Sequence, residues 1–384
     1  MVWLTLTAFF LLLVSWVTKK LHHILGLLTL ICLIFGIVLG YFHQIPSLKA
    51  VQALSQIPLV LFLFIDGIRI HVPKIIHYHR EAFRQLTIGF FIQVFLGAVL
   101  AYYFLTLPWM ASILLALALA TIDLKATPMP IESKRVPPRI AQILNLETSV
   151  TPILTVLLFM FFKAKCPVAL LLPIPVGVAL GYGIIHLTRI ALKSHMAHRP
   201  FVISSLFVAP FALFYLCECL RLNGYVGVIA LALTMGHAGR SLCDGLFDFG
   251  RRQGRLLFFL FIITFGCQIL GSLAHSLTGK MIFYAILSLF VIRFLGVMVS
   301  FWGCKFQWKT VCFCAFFGPR ALVPAALALL ALPYDLQVYA TLYGAVLISL
   351  LFHTLFSFSV TYWYSHAILE TGKAEFLPTV SFPH

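Results

Sequence analysis

Asp123, Glu147 and Arg320 stand inside long apolar runs where water is scarce. An ionisable side chain at membrane depth costs roughly 2.5–3.5 kcal/mol on insertion scales, so several of them in one chain are expected to be in use. The chemistry open to such groups is ion handling. A carboxylate can hold a proton or ligate a cation, and a guanidinium can neutralise a carboxylate that would otherwise be buried alone. Glu147 and Arg320 are read as a structural ion pair, each offsetting the other's desolvation, with Glu147 facing a wet cavity as the alternative. Asp123 is then the carboxylate left to carry a proton, unless it pairs locally with Lys125, which can also reach the inner surface or nearby helix ends.

The elements that must hold these residues are membrane helices. The chain has 384 residues, 62% of them hydrophobic and 10% charged, with a mean hydropathy of +1.04. That is too little polar surface to cover a soluble globule of this size, so the expected fold is an all-α polytopic membrane protein. Apolar runs of about 20 residues place about thirteen transmembrane helices near 2–18, 24–42, 54–69, 86–106, 109–127, 139–162, 167–188, 201–220, 223–236, 256–274, 281–302, 309–332 and 336–366. The pieces at 54–69 and 223–236 are short. Two segments are poor continuous helices. One meets Thr121, Asp123, Lys125 and then Pro128 and Pro130; the other is interrupted by Gly318, Pro319 and Pro324 around Arg320. Seven crossings apart, they run in opposite directions. Interrupted helices at corresponding places of two inverted repeats point to a secondary transporter's binding site, where freed backbone groups and half-helix ends face the ion.

The charge of +16 reads as topology and gives no reason to expect nucleic-acid binding. With the N-terminus outside, twenty Lys and Arg fall in inner loops and five (Lys49, Lys163, Lys165, Arg221, Lys280) in outer ones, leaving Arg293 and Arg320 inside spans. The expected placement is the plasma (inner) membrane, multi-pass, with the C-terminus cytoplasmic. Residues 1–368 form the transmembrane domain and 369–384 a short tail. The segment 237–255 reads as a basic inner connector. The first apolar run precedes its charges, Lys19 and Lys20, which fits an anchor and not a cleaved signal. The nine cysteines read as small hydrophobes, and His71, His77 and His79 as interfacial residues, so no metal or cofactor is expected. No catalytic motif suggests an enzyme. Glu218 reads as a helix-end or lumen residue. Arg293 either pairs with it or snorkels.

Three stretches carry a resemblance to a family: 61–70 (LFLFIDGIRI), the run from Thr121 to Pro152, and Gly318-Pro319-Arg320-Ala321-Leu322-Val323. They resemble the sodium/proton antiporters of the NhaP type, in the cation:proton antiporter superfamily. The family's Thr-Asp-Pro break falls on Ile122-Asp123-Leu124, its Val-Pro-x-Arg loop on Val136-Pro137-Pro138-Arg139, and its Glu-Ser-x-x-Asn-Asp motif on Glu147-Thr148-Ser149-Val150-Thr151-Pro152. The resemblance implies two discontinuous crossing helices, a homodimer in the lipid bilayer, and exchange of a monovalent cation (Na+ or K+) for protons by alternating access. It also implies that Arg320 neutralises Glu147. The departures are specific. The family's ion-carrying Asp is Pro152 here and its Asn is Thr151, so Asp123, Thr148 and Thr151 are left as ion- or proton-binding candidates. A transport-degenerate protein acting as a proton-linked sensor or membrane partner is the alternative.

Overall fold

The computed structural model describes residues 2–21, 25–42, 46–70, 80–124, 136–164, 166–269, 276–304, 306–331 and 335–369. Lys125, the histidines at 71, 77 and 79, and the tail beyond 369 lie outside these residues. Every regular element described is helical. In chain order they are α1 (Val2–Leu21), α2 (Leu25–Tyr41), α3 (Leu48–Arg69), α4 (Arg80–Phe104), α5 (Trp109–Ala120), α6 (Pro138–Lys163), α7 (Pro167–Lys193), α8 (Arg199–Cys219), α9 (Gly224–Ala238), α10 (Arg240–Gln268), α11 (Gly279–Ser300), α12 (Trp308–Phe316), α13 (Leu322–Ala331) and α14 (Leu336–Leu369). Among the described residues, seven of these (α3, α4, α6, α7, α8, α11 and α14) are long and apolar enough to cross a membrane. The chain is a multi-pass membrane protein.

The segment expected at 54–69 is a full-length helix, started by Ser47, whose side chain accepts from the Ala50 N–H. The expected connector at 237–255 is a correction: α10 runs unbroken from Arg240. Leu242, Leu246, Gly250, Gly254 and Phe258 are its buried residues at every fourth position, a stripe that seats the helix against its neighbours.

Small residues decide how closely these helices approach. In lipid the apolar side chains gain little by leaving their surroundings, so helix association rests on close packing. Gly36 of α2 lies against the Ile263 carbonyl and Gly266 of α10, and Gly266 against the Leu33 carbonyl. A side chain at either position would push the backbones apart. Gly36→Leu is therefore expected to lower the thermal stability of the detergent-solubilised protein by the order of 1–3 kcal/mol typical of overpacking. Gly183→Leu, on open space in α7, should leave the melting temperature nearly unchanged.

α4 and α11 each contain a single π turn, at Gln85–Gly89 and Leu287–Ile292. Such turns are often found at functional sites, because the wider turn re-aims the side chains around it. Gln85 and Ser288, carried on these turns, are both buried and both bind charged groups of the centre.

Candidate functional site

Two breaks in the helices meet at the centre of the molecule. α5 stops at Ala120, and residues 121–124 are non-helical; α12 stops at Phe316, and residues 317–321 separate it from α13. Thr121, Ile122, Gly318 and Pro319 all lie in these breaks. The two are joined directly: the Asp123 N–H donates to the Pro319 carbonyl at 2.7 Å. The Asp123 carboxylate returns the contact, its Oδ2 accepting from the Leu322 N–H at 3.1 Å at the first residue of α13. A carboxylate there is favoured by the orphan amides and the positive end of the helix dipole. Asp123 has no exposed surface.

α6 braces the first break along one face. Leu124 N–H donates to Thr148 Oγ1 at 3.1 Å, and that hydroxyl donates to the Ile122 carbonyl at 3.3 Å. Ile122 N–H donates to Thr151 Oγ1 at 3.3 Å, and the Thr151 hydroxyl donates to the Glu147 carbonyl at 2.8 Å. Backbone freed by unwinding is thus satisfied by two threonines one helical step from each other's face. A hydroxyl has one donor and two acceptor positions, so each threonine keeps one lone pair beyond these bonds. Pro152, buried in the same helix, brings no N–H to the Thr148 carbonyl and no group that titrates.

A different face of α6 carries Glu147, and here the expected partner is corrected. Glu147 is bound by Arg293, not Arg320: Arg293 Nη1 reaches Oε1 at 2.6 Å and Nη2 reaches Oε2 at 3.0 Å, a two-pronged pair with both side chains buried. Gln85 Nε2 adds a hydrogen bond to Oε1 at 2.9 Å, and Arg293 Nη2 also donates to the Cys314 carbonyl at 3.2 Å. The pair therefore ties α6 to α4, α11 and α12. Gly318 makes room for it, since a Cβ there would lie 2.9 Å from Arg293 Nε. Arg293 neither snorkels nor reaches Glu218, whose Oε1 instead accepts from the Gly224 N–H at 3.2 Å.

Arg320 is buried and turned to α11, where Nη1 and Nη2 donate to the Ser288 hydroxyl and carbonyl at 2.8 and 3.0 Å. Its backbone N–H donates to Ser349 Oγ at 2.7 Å. His353, one turn on in α14, places Nε2 2.9 Å from the Phe316 carbonyl at the mouth of the second break. Arg320 thus anchors that break to α11 and α14. The loop motif does similar work at the periphery: Pro138 begins α6, and Arg139 pairs with Glu81 and lies over the Phe306 ring.

Sequence reasoning missed Gln85, Ser288, Ser349 and His353 and left Arg293 unassigned. The available signal was polarity itself, because a polar or ionisable residue in an apolar span is a functional candidate by default.

A cavity of about 140 Å³ opens beside this centre between α3, α6 and α10. Leu124 and Thr148 line it, together with Asp66, Arg69, Asn145, Ser149, Arg251 and Arg255. Through Leu124 and Thr148 it reaches the braced break.

The family model for the sodium/hydrogen exchanger transmembrane region matches residues 6–362. No curated protein matches the chain. Among solved structures, an electron-microscopy structure of the sodium proton antiporter MjNhaP1 from Methanocaldococcus jannaschii is similar at 21% identity and a TM-score of 0.75, covering 97% of this chain and 98% of that one. A structure of the same antiporter at pH 8 gives 20% identity and a TM-score of 0.71, over 92% and 96% of the two chains. The architecture is therefore NhaP-like, and the family is one of transporters and not of enzymes. With the match running over nearly the whole chain, this protein belongs to the sodium/hydrogen exchanger family.

Proposed function

We propose that the chain is a secondary active transporter exchanging a monovalent cation, Na+ or K+, for protons by alternating access, with Asp123 as the group that both ions visit. The observation that carries this reading is the buried Asp123 carboxylate at the meeting of two helix breaks, within the turn braced by Thr148 and Thr151. A cation at Asp123 would find neutral oxygens in the remaining lone pairs of Thr148 and Thr151 and in the unwound backbone. These can ligate a cation but cannot exchange it for a proton, so the proton must be carried by Asp123. Asp123, Glu147, Arg293 and Arg320 sum to zero when all are ionised. A proton or a monovalent cation at Asp123 changes that sum by the same +1, and one-for-one exchange would be electroneutral.

The two breaks are read as discontinuous crossing helices of two inverted repeats, and the transporting unit as a homodimer in the plasma membrane with the N-terminus outside. A cysteine engineered at Gln253 of α10 and one placed beyond Glu370 should both be labelled from the cytoplasmic side. Labelling of only one of them would overturn that orientation.

Pro152 makes the reading testable in both directions. Pro152→Asp places a second carboxylate one turn from Thr148 and restores an N–H to the helix. It is expected to raise sodium-coupled flux in proteoliposomes containing a pH-sensitive dye. Flux equal to that of the unmodified protein would mean that the proline does not limit cation binding.

A further inference from the structure

The second break is fastened to α14 by a chain of hydrogen bonds whose direction can be read. Arg320, inside the break, donates its backbone N–H to Ser349 Oγ at 2.7 Å. That hydroxyl lies 3.1 Å from His353 Nδ1, and Nε2 of the same ring lies 2.9 Å from the carbonyl of Phe316, the last residue of α12. One imidazole therefore bridges the two flanks of the break. The Phe316 carbonyl also accepts the Gly318 N–H at 2.8 Å, so the ring holds the tight turn with which the break begins. Ser349, His353 and Arg320 are all buried, and the imidazole packs against the Phe316 and Phe352 rings at centroid distances of 5.3 and 5.9 Å. Three protonation forms are open to such a ring. An imidazolium would satisfy both neighbouring carbonyls, but it would be a further buried positive charge. The charged groups facing it, Arg320 from the break and Arg293 from α11, are both positive, and no carboxylate touches it among the described residues. A neutral ring protonated on Nδ1 would donate to the Ser349 carbonyl at 2.8 Å. It would also turn the Nε2 lone pair on the Phe316 carbonyl and leave the Ser349 hydroxyl with no acceptor. The form protonated on Nε2 satisfies both: Nε2–H donates to Phe316, and Nδ1 accepts from Ser349. Its one unused contact is with the Ser349 carbonyl, an oxygen that α14 already supplies with a helical N–H.

We propose that His353, neutral and protonated on Nε2, is a positioning residue for the ion site, its relay from Arg320 through Ser349 to Phe316 fixing the geometry of the second break. The break in turn supplies the two backbone groups that hold Asp123, the Pro319 carbonyl and the Leu322 N–H. His353 thus acts through the break and touches no ion. Its effect on transport rests on Asp123 being the site that the cation visits; its protonation form does not.

The test has a spectroscopic and a transport arm. In the first, nitrogen NMR of the full-length protein in lipid, with labelled histidine, is recorded at about pH 8, above the ordinary imidazole range. The His353 signals are picked out by difference from His353→Gln. Nε2 should carry the proton and Nδ1 should not, and Ser349→Ala, which removes the donor to Nδ1, should populate the Nδ1-protonated form. In the second arm, proteoliposomes with equal folded amounts of each variant are compared across sodium concentration. His353→Leu should raise the half-saturating concentration about tenfold, the order expected when a buried hydrogen bond is lost, with little change in maximal rate. His353→Gln offers one N–H donor and one oxygen acceptor without a charge and should restore most of the affinity. Should His353→Leu fail to fold, Ser349→Ala provides the same comparison. Unmodified protein that carries no cation would contradict the transport reading alone, and the NMR arm would still decide this one. An Nδ1-protonated or doubly protonated His353 in the unmodified protein would overturn the proposal. So would unaltered half-saturation in folded His353→Leu or, in its place, Ser349→Ala.

Discussion

Glu147→Ala is expected to abolish most of the folded, monodisperse yield of the protein in detergent. Removing one partner of a buried pair strands the other, at a cost of about 3–5 kcal/mol, against a total stability of only about 5–15 kcal/mol for a typical protein. The stranded group here is Arg293, which touches the Cys314 carbonyl and has no other carboxylate in contact among the described residues. Arg293→Ala should be comparably severe, because it leaves Glu147 with the single Gln85 hydrogen bond. The double variant should be far less unstable than the sum of the two. Combining Glu147→Ala with Arg320→Ala should come much closer to additivity, since Arg320 spends its guanidinium on Ser288. Thermal unfolding of the six proteins, unmodified, three single and two double variants, measures this directly. A larger coupling of Glu147 to Arg320 than to Arg293 would contradict the assigned pair.

The misassignment of Glu147's partner has a physical origin. Both arginines lie in apolar spans, so burial cost alone demands a partner for each and does not say which. The π turn at Leu287–Ile292 inserts an extra residue into the 3.6-residue periodicity just before Arg293. A regular helical projection through 279–300 therefore rotates Arg293 away from its true face, and no residue pattern announces the turn.

The two breaks were more legible. Proline and glycine at 318, 319 and 324 and an acid inside an apolar run mark places where a helix cannot continue undisturbed. What could not be read was that the Asp123 N–H would bond Pro319 across nearly two hundred residues of chain. The continuous helix α10 was legible in principle. Leu242, Leu246, Gly250, Gly254 and Phe258 repeat at four-residue spacing, but the arginines between them lowered the hydropathy that marks a span.

The second large effect is on transport. Asp123→Asn keeps the side-chain size and an oxygen that can accept from the Leu322 N–H, so the contact with α13 and the fold are expected to survive. The amide cannot take up and release a proton in the working range. If Asp123 is the place where proton and cation exchange, the substitution removes coupled flux altogether and does not merely shift its pH dependence. Thr148→Val should be intermediate, because it removes the brace on Leu124 and Ile122 as well as one potential oxygen ligand.

Proton flux in proteoliposomes, followed with an internal pH-sensitive dye as Na+, K+ and Li+ are added in turn, tests the central claim most directly when the unmodified protein and Asp123→Asn are compared at equal folded amounts. The expected result is cation-dependent proton movement by the unmodified protein, unaffected by a clamped membrane potential and absent in Asp123→Asn. Robust exchange that survives Asp123→Asn, or no cation-dependent flux from the folded unmodified protein, would contradict the account.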